Sequence, residues 1–379
     1  MDRNKLRTIK LKGYKSFRNT EVHFSDVTVL LGANGAGKSN LVSFFRMLNF
    51  VSTGALQDYI GRNGGSDSLL HYGRKTTTQI EAEVEFDGSG SRTYYKMRLA
   101  DAAPDTLIFT DERATLIFTD ERAVFDQRGC PRPQDIALGA GHKESELKKR
   151  AETEETCRIL FGMLSRCRVF QFHDTSSTAK IRKSGYTEDA NYLRSDAGNL
   201  AAYLRMLQTT YSDCYQRIVD TVALVFPSFG DFILQPSAGS DNYILLNWKE
   251  QAHADYLLGP HQLSDGTLRF MALASLFLQP TERMPSVIVL DEPELGLHPY
   301  AISVLAGLVK SVATETQVIL ATQSPRLVDE FDPGQVVVLE IDKKAGTQCK
   351  QLEAEKLSEW LDEYSMGELW EKNIFGGRP

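Results

Sequence analysis

The chain has 379 residues, with 43 Lys+Arg against 50 Asp+Glu and a formal net charge of −7, a globular composition that excludes a fibrous or largely disordered protein and leaves room for one large or two modest cores. No apolar run reaches the roughly 20 residues of a bilayer helix, and the start of the chain has no apolar secretory stretch. The five cysteines include no CxxC pair, so a reduced, cytoplasmic protein is expected, with no membrane partner and no cysteine-based zinc site.

Leu6, Ile9 and Leu11 interleave with Arg7, Lys10 and Lys12, which predicts a strand, and Val27–Leu31 predicts a buried strand running straight into glycines. Leu41, Phe44, Phe45 and Leu48 then recur at helical spacing, so the glycine segment lies between strand and helix. Ile80, Ala82, Val84 and Phe86 alternate with Gln79, Glu81, Glu83 and Glu85, turn at Asp87–Gly90, and resume at Tyr95, Met97 and Leu99 as a half-buried antiparallel hairpin. An exact repeat follows, TLIFTDERA at Thr106–Ala114 and again at Thr115–Ala123. Two copies are too few for a solenoid. They are expected to add or lengthen strands of one antiparallel sheet, with Leu107, Phe109, Leu116 and Phe118 on one face.

One helix is predicted over Lys143–Leu164, two more over Leu200–Leu207 and Tyr211–Val225, and a hairpin pairing Phe232–Leu234 with Tyr243–Leu246. In the last third, helical Leu268–Leu278 and Ala301–Val312 alternate with strands Ser286–Leu290, Gln317–Ala321 and Gln335–Ile341, a pattern that implies a parallel sheet covered on both faces. The tail Leu352–Trp370 reads as helical. The fold class is therefore α/β, with a parallel sheet core, an antiparallel β subdomain and an inserted helical lobe. The expected division is 1–129, 130–225 for the helical insertion, and 226–379.

Gly32–Ser39, GANGAGKS, fits G-x-x-x-x-G-K-[ST] in the strand-to-helix context that the motif requires. Glycines let backbone N–H groups turn in around phosphate oxygens, Lys38 reaches the β- and γ-phosphates, and Ser39 ligates Mg2+. Gly32, Asn34, Gly35, Gly37, Lys38, Ser39 and the following Asn40 are the ATP-binding candidates here. Val287–Pro299, VIVLDEPELGLHP, ends a buried strand in adjacent carboxylates. Asp291 is the candidate magnesium ligand, and Glu292 the group that activates or orients the attacking water. Ser264 and Gly266 of LSDGT stand at the start of a helix, where an anion can bind.

The phosphate loop, LSDGT, DEPE and GLHP in this order, with KLRTIKLKGYKSFRNTEVHF at the start and KSNL after the loop, resemble the RecF, SMC and OLD branch of ABC-type ATPases. The resemblance implies a head-to-head dimer or higher oligomer in which Ser264 and Gly266 cap the ATP of another protomer. It puts a magnesium and water contact in Arg168–Ser176, with Gln171 the candidate and His173 or Asp174 as alternatives. Gln323 stands where many relatives carry a histidine facing the γ-phosphate. His298 falls in a region that supports the dimer interface.

The predicted helix at Lys143–Leu164 is too short for an SMC arm, and 87 residues after Glu292 leave little room for a nuclease domain. The expected function is thus an ATP-driven switch, the sensor or regulator of an antiphage defence system acting with a separately encoded effector such as a nuclease. A RecF-like repair factor and a nucleotide-binding scaffold with little turnover are the rivals. DNA is a further candidate partner through basic clusters at Arg3–Arg18, Lys143–Arg150 and Lys180–Lys183.

Overall fold

The computed structural model describes residues 4–88, 90–118, 134–236, 241–253 and 255–377. Its strands are β1 Lys5–Tyr14, β2 Phe17–His23, β3 Val27–Leu31, β4 Gln79–Gly88, β5 Ser91–Ala102, β6 Thr106–Phe118, β7 Gln134–Gly139, β8 Cys167–Phe170, β9 Gly185–Tyr186, β10 Phe229–Ile233, β11 Tyr243–Ile244, β12 Asn247–Glu250, β13 Val287–Asp291, β14 Gln317–Thr322, β15 Val336–Asp342 and β16 Gly346–Gln351. Twelve of them form one sheet in the order β7-β6-β5-β4-β1-β2-β16-β15-β3-β14-β13-β8. From β15 to β8 neighbours are parallel, and from β7 to β15 they are antiparallel. Strands from both ends of the chain thus build one sheet.

Parallel strands must be covered on both faces, and β3, β13 and β14 are buried at every residue. Helix Lys38–Thr53 packs Leu41, Phe44, Phe45 and Leu48 on one face, into a core shared with the antiparallel strands. Helices Leu200–Thr210, Ser212–Val225, Asp265–Phe277 and Pro299–Val312 fill the other. The phosphate loop and the acidic strand end are brought together because β14 alone separates β3 from β13.

Within the described residues the duplicated segment is one long strand. β6 carries the whole first copy and the start of the second. A nine-residue repeat is odd, so in a regular strand Leu116 would face away from Leu107. A bulge solves this: Arg98 pairs with Asp111 and Leu99 with Phe109, leaving Thr110 extra. Leu107, Phe109 and Leu116 consequently share the buried face. The same parity change turns Glu112 inward to full burial. Its carboxylate is satisfied by Tyr95 Oη, His142 Nε2 at 2.8 Å, Ser145 Oγ and the Glu146 N–H at 3.1 Å. The rest of the second copy and the expected boundary at residues 129–130 lie outside the described residues.

Four expectations differ. The helix read over Lys143–Leu164 is two pieces, Leu147–Arg150 and Glu155–Ser165, because the polar stretch between offers no apolar stripe to bury. The expected hairpin is re-partnered: β10 pairs with β12, while β11 pairs with β9. Within 130–225, β7 and β8 are strands of the large sheet, so its helical part is confined to the segments around them. The tail is also two helices, Ala354–Leu361 and Met366–Glu371.

Candidate functional site

β3 delivers the chain into Gly32–Gly37, which wraps the N-terminus of helix Lys38–Thr53. Gly35 and Gly37 take φ of 84° and 109°, which L side chains avoid. At Gly32 a Cβ would lie 2.6 Å from the Leu339 carbonyl oxygen. Lys38 is buried at 4% exposure and donates to the carbonyl oxygens of Gly32 (2.5 Å) and Ala33 (3.0 Å). Burial lowers its pKa, and Glu292, Asp291 and Glu294 oppose that shift. Its ammonium is therefore held by the loop's own carbonyls and feels the charge of three acids. Asn34, Gly35 and Ser39 are exposed around it, while Asn40 turns away and donates to Ser16 Oγ at 2.8 Å.

β13 ends at Asp291, 7% exposed, whose Oδ1 is buried without a hydrogen-bond partner. Burial raises its pKa, and the neighbouring charge of Glu292 adds to the rise while His173 opposes it. Gln171, one residue beyond the parallel neighbour β8, brings Nε2 to 3.4 Å from Asp291 Oδ2. A carboxylate oxygen left bare in a buried position calls for a cation. Asp291 and Ser39 are oxygen donors of the hard type that magnesium takes, and Gln171 becomes a third once its Oε1, held by Arg46, turns toward Asp291, so the residues present fit a Mg–nucleotide.

Glu292 follows with φ 44°, a conformation that costs a non-glycine residue about 1 kcal/mol. Its N–H donates to Ala321 O at 2.8 Å, and its Oε1 accepts from Gln323 Nε2 at 3.1 Å. Both holds come from β14 and the residue beyond it, so the strain is maintained by the neighbouring strand. Glu294 is 8% exposed, accepts from Thr322 Oγ1, and leaves Oε2 unpartnered. Burial pushes its carboxyl up to about 7.

Of the three candidates Gln171, His173 and Asp174, His173 holds the backbone: its ring bonds Asp291 O at 2.7 Å and Gln171 Nε2 at 3.0 Å. Asp174 is exposed and accepts from Ser176. Ser264 caps helix Asp265–Phe277, accepting from Thr267 N at 3.1 Å, and is exposed. Gly266 is a packing glycine here, since a Cβ would run into the Gly296 carbonyl oxygen. Ser264 is thus exposed at the helix start, and Gly266 packs against the Leu295–Leu297 turn. His298 caps helix Pro299–Val312 by accepting from Tyr300 N at 3.3 Å.

Several connecting residues carry no motif. Arg182 is buried and donates to Thr175 O, Leu263 O and Asp265 Oδ1, the last at 2.7 Å. Arg269 donates to Phe172 O, His173 O and Leu295 O. Together they tie the Gln171 segment to the LSDGT helix. Only the position of Arg269 within the turn after LSDGT hints at this in sequence. Ser16 and Thr347 flank Gly37, and Ala33 N donates to Gly377 O at 2.8 Å.

The basic clusters fare unequally. Lys5, Arg7, Lys10 and Lys12 pair with Asp26, Asp87, Glu83 and Glu81, and Arg182 is internal.

A glycine phosphate loop after β3, an acid pair at the end of β13, a glutamine after β8 and an LSDGT segment at an exposed helix start define the site of an ABC-type ATPase head. Over residues 27–329, more than half of the chain, the sequence matches the family model described as "AAA domain, putative AbiEii toxin, Type IV TA system", and the protein belongs to that family. Its fold is similar to an Smc head domain of Pyrococcus furiosus with an extended coiled coil, bound to the C-terminal domain of ScpA, at 15% identity and TM-score 0.59, covering 95% of this chain and 99% of that one. It is likewise similar to an SmcHead bound to the C-winged helix domain of ScpA, at 16% identity and TM-score 0.55, covering 93% and 99%. Among curated proteins no match was found. No helix among the described residues is long and apolar enough to cross a membrane.

Proposed function

We propose that the protein is a magnesium-dependent ATPase switch that closes as a head-to-head dimer and passes its state to a separately encoded effector in a defence or toxin–antitoxin setting. The carrying observation is the bare, buried Oδ1 of Asp291 between Lys38 and Gln171. Ser39, Asp291 and Gln171 would hold Mg2+, which would neutralise phosphate charge during transfer. Gly32, Asn34, Gly35, Gly37 and Asn40 line or brace the phosphate loop. Lys38 would exchange its bonds to Gly32 and Ala33 for phosphate oxygens. Glu292 orients and deprotonates the attacking water, and Gln323 fixes the carboxylate.

The dimer reading is supported by the outward Ser264 cap and by Leu295 and Tyr300, which stand 44% and 52% exposed around the same turn. In this reading the head is assembled from 1–129 and 226–379 together with β7 and β8, and the helical segments of 130–225 are inserted. The toxin–antitoxin wording of the family supports a damaging output, and the ScpA complexes of the Smc heads show that such a fold can carry a protein partner. The same wording favours a second reading, in which this chain is itself the toxic component.

The deciding experiment measures Mg-dependent ATP turnover of the full chain, then cell growth and phage survival with the gene alone and with its neighbours. Turnover with protection only in the presence of a neighbouring gene supports the switch. Toxicity of the chain alone supports the second reading, and absence of turnover rejects both ATPase statements.

A further inference from the structure

A cleft whose lining does not include the phosphate loop opens elsewhere in the described structure. It lies along the outer side of β8, the last strand of the sheet, and holds about 870 Å3 between helix Lys38–Thr53 and the 192–196 segment. That is the size of a small-molecule site, roughly 300–1,000 Å3. Six cationic side chains line it, Arg46, Arg166, Arg168, Lys180, Arg194 and Arg283, against two acids, Asp196 and Glu282.

Pairing sharpens the imbalance. Lys180 is matched by Asp196 and Arg194 by Asp189. The other four have no carboxylate partner among the described residues. Arg166 donates to Met284 O at 2.8 Å and Arg283 to Asn191 O at 2.8 Å. Arg168 lies over the Tyr192 ring, 5.5 Å from its centroid. Arg46 donates to Gln171 Oε1. The N-terminal cations of β1 show the contrast, each paired with an acid. Like charges gathered in a concave, low-dielectric wall raise the local potential for an anion. Guanidinium forks match phosphate oxygens bidentately, and Tyr192, 58% exposed, offers a face to a base.

We propose that this cleft binds a nucleotide-sized, phosphate-bearing ligand distinct from the ATP of the phosphate loop, and that its occupancy regulates hydrolysis through Arg46 and Gln171. Arg46 is the link. It lines the cleft and bonds the glutamine whose amide faces Asp291. A phosphate that draws Arg46 into the cleft releases Gln171 Oε1 and changes how the glutamine meets Asp291. The regulatory half rests on the ATPase reading above, and the binding half does not.

The test is a calorimetric titration of the full chain, saturated with Mg2+ and adenylyl imidodiphosphate to fill the phosphate loop, with thymidine 3′,5′-bisphosphate. One additional site per chain is expected. Arg168→Glu, a change at an exposed residue, should weaken it by about tenfold or more, and Arg168→Glu with Arg283→Glu should remove it, while adenylyl imidodiphosphate binding and thermal unfolding stay as in the parent. The bisphosphate should change ATP turnover several-fold in the parent and leave that of Arg168→Glu unaltered. No second site, or one indifferent to Arg168→Glu, overturns the proposal. Affinity that climbs with the length of oligothymidylate overturns a nucleotide-sized ligand in favour of a strand track. Binding without any change in turnover overturns the regulatory half alone. A parent that does not hydrolyse ATP sinks the ATPase reading, and the titration still decides the cleft.

Discussion

Gln323 Nε2 donates to Glu292 Oε1 at 3.1 Å, and this bond holds a carboxylate whose own backbone sits at φ 44°. The side chain is therefore aimed from two sides, by its strained backbone and by the residue after β14. Glu292→Gln keeps the shape and loses the basicity. Turnover should fall by about 10²- to 10⁴-fold with ATP affinity kept, and ATP should then trap a dimer in size-exclusion runs. Turnover within a few-fold of the parent would show that Glu292 is not the base.

Gln323→Ala removes the aiming bond but not the carboxylate. A single neutral hydrogen bond is worth about 1 kcal/mol, so turnover should drop roughly five-fold. Gln323→His should retain most of the rate, because imidazole can donate from a similar place. An alanine variant as fast as the parent makes Gln323 structural.

Lys38→Ala acts on binding. A charged contact to phosphate contributes about 2 kcal/mol, so ATP affinity should weaken about thirtyfold. Fluorescent-nucleotide titration reads the loss, and unchanged affinity rejects the role.

Ser264 should work on the partner's nucleotide, since it is exposed and its cap bond stays within its own helix. Ser264→Arg should block ATP-driven dimerisation while leaving nucleotide binding by the monomer. Mixing Lys38→Ala with Ser264→Arg should restore part of the turnover, because one of the two composite sites is intact. Heterodimers that form without rescue would count against a trans site.

Glu294 gives a pH signature. Its folded-state pKa of about 7 lies above the ordinary 4.5, so between those values the folded state holds a proton that the unfolded state has lost. Stability then falls as pH rises through 4.5 to 7, and the penalty is complete above that window. Glu294→Gln never ionises. Its stability relative to the parent should rise by up to about 3 kcal/mol between pH 4.5 and 8 in urea melts. A difference that does not change with pH would mean that Glu294 ionises normally.

The sequence by itself determined the chemistry that is written contiguously. GANGAGKS needs its glycines, lysine and serine within eight positions, and Asp291 and Glu292 are adjacent, so strand-to-helix context and residue type suffice to find them. The parallel core and the antiparallel subdomain were legible for a similar reason, because alternation and buried runs are local patterns. Tertiary structure alone decided what depends on strand order. Lys12 meets Glu81 across 69 residues and Arg46 meets Gln171 across 125, so neither the neutral face of β1 nor the arginine behind the magnesium site has a local signal. The bulge at Thr110 is a third case: it reverses the parity of β6 so that a repeat of odd length keeps Leu107 and Leu116 on one face, and it buries Glu112 among Tyr95, His142 and Ser145. Which residue is extra in a ladder follows from the partner strand's pairing, and a single strand's sequence does not contain its partner.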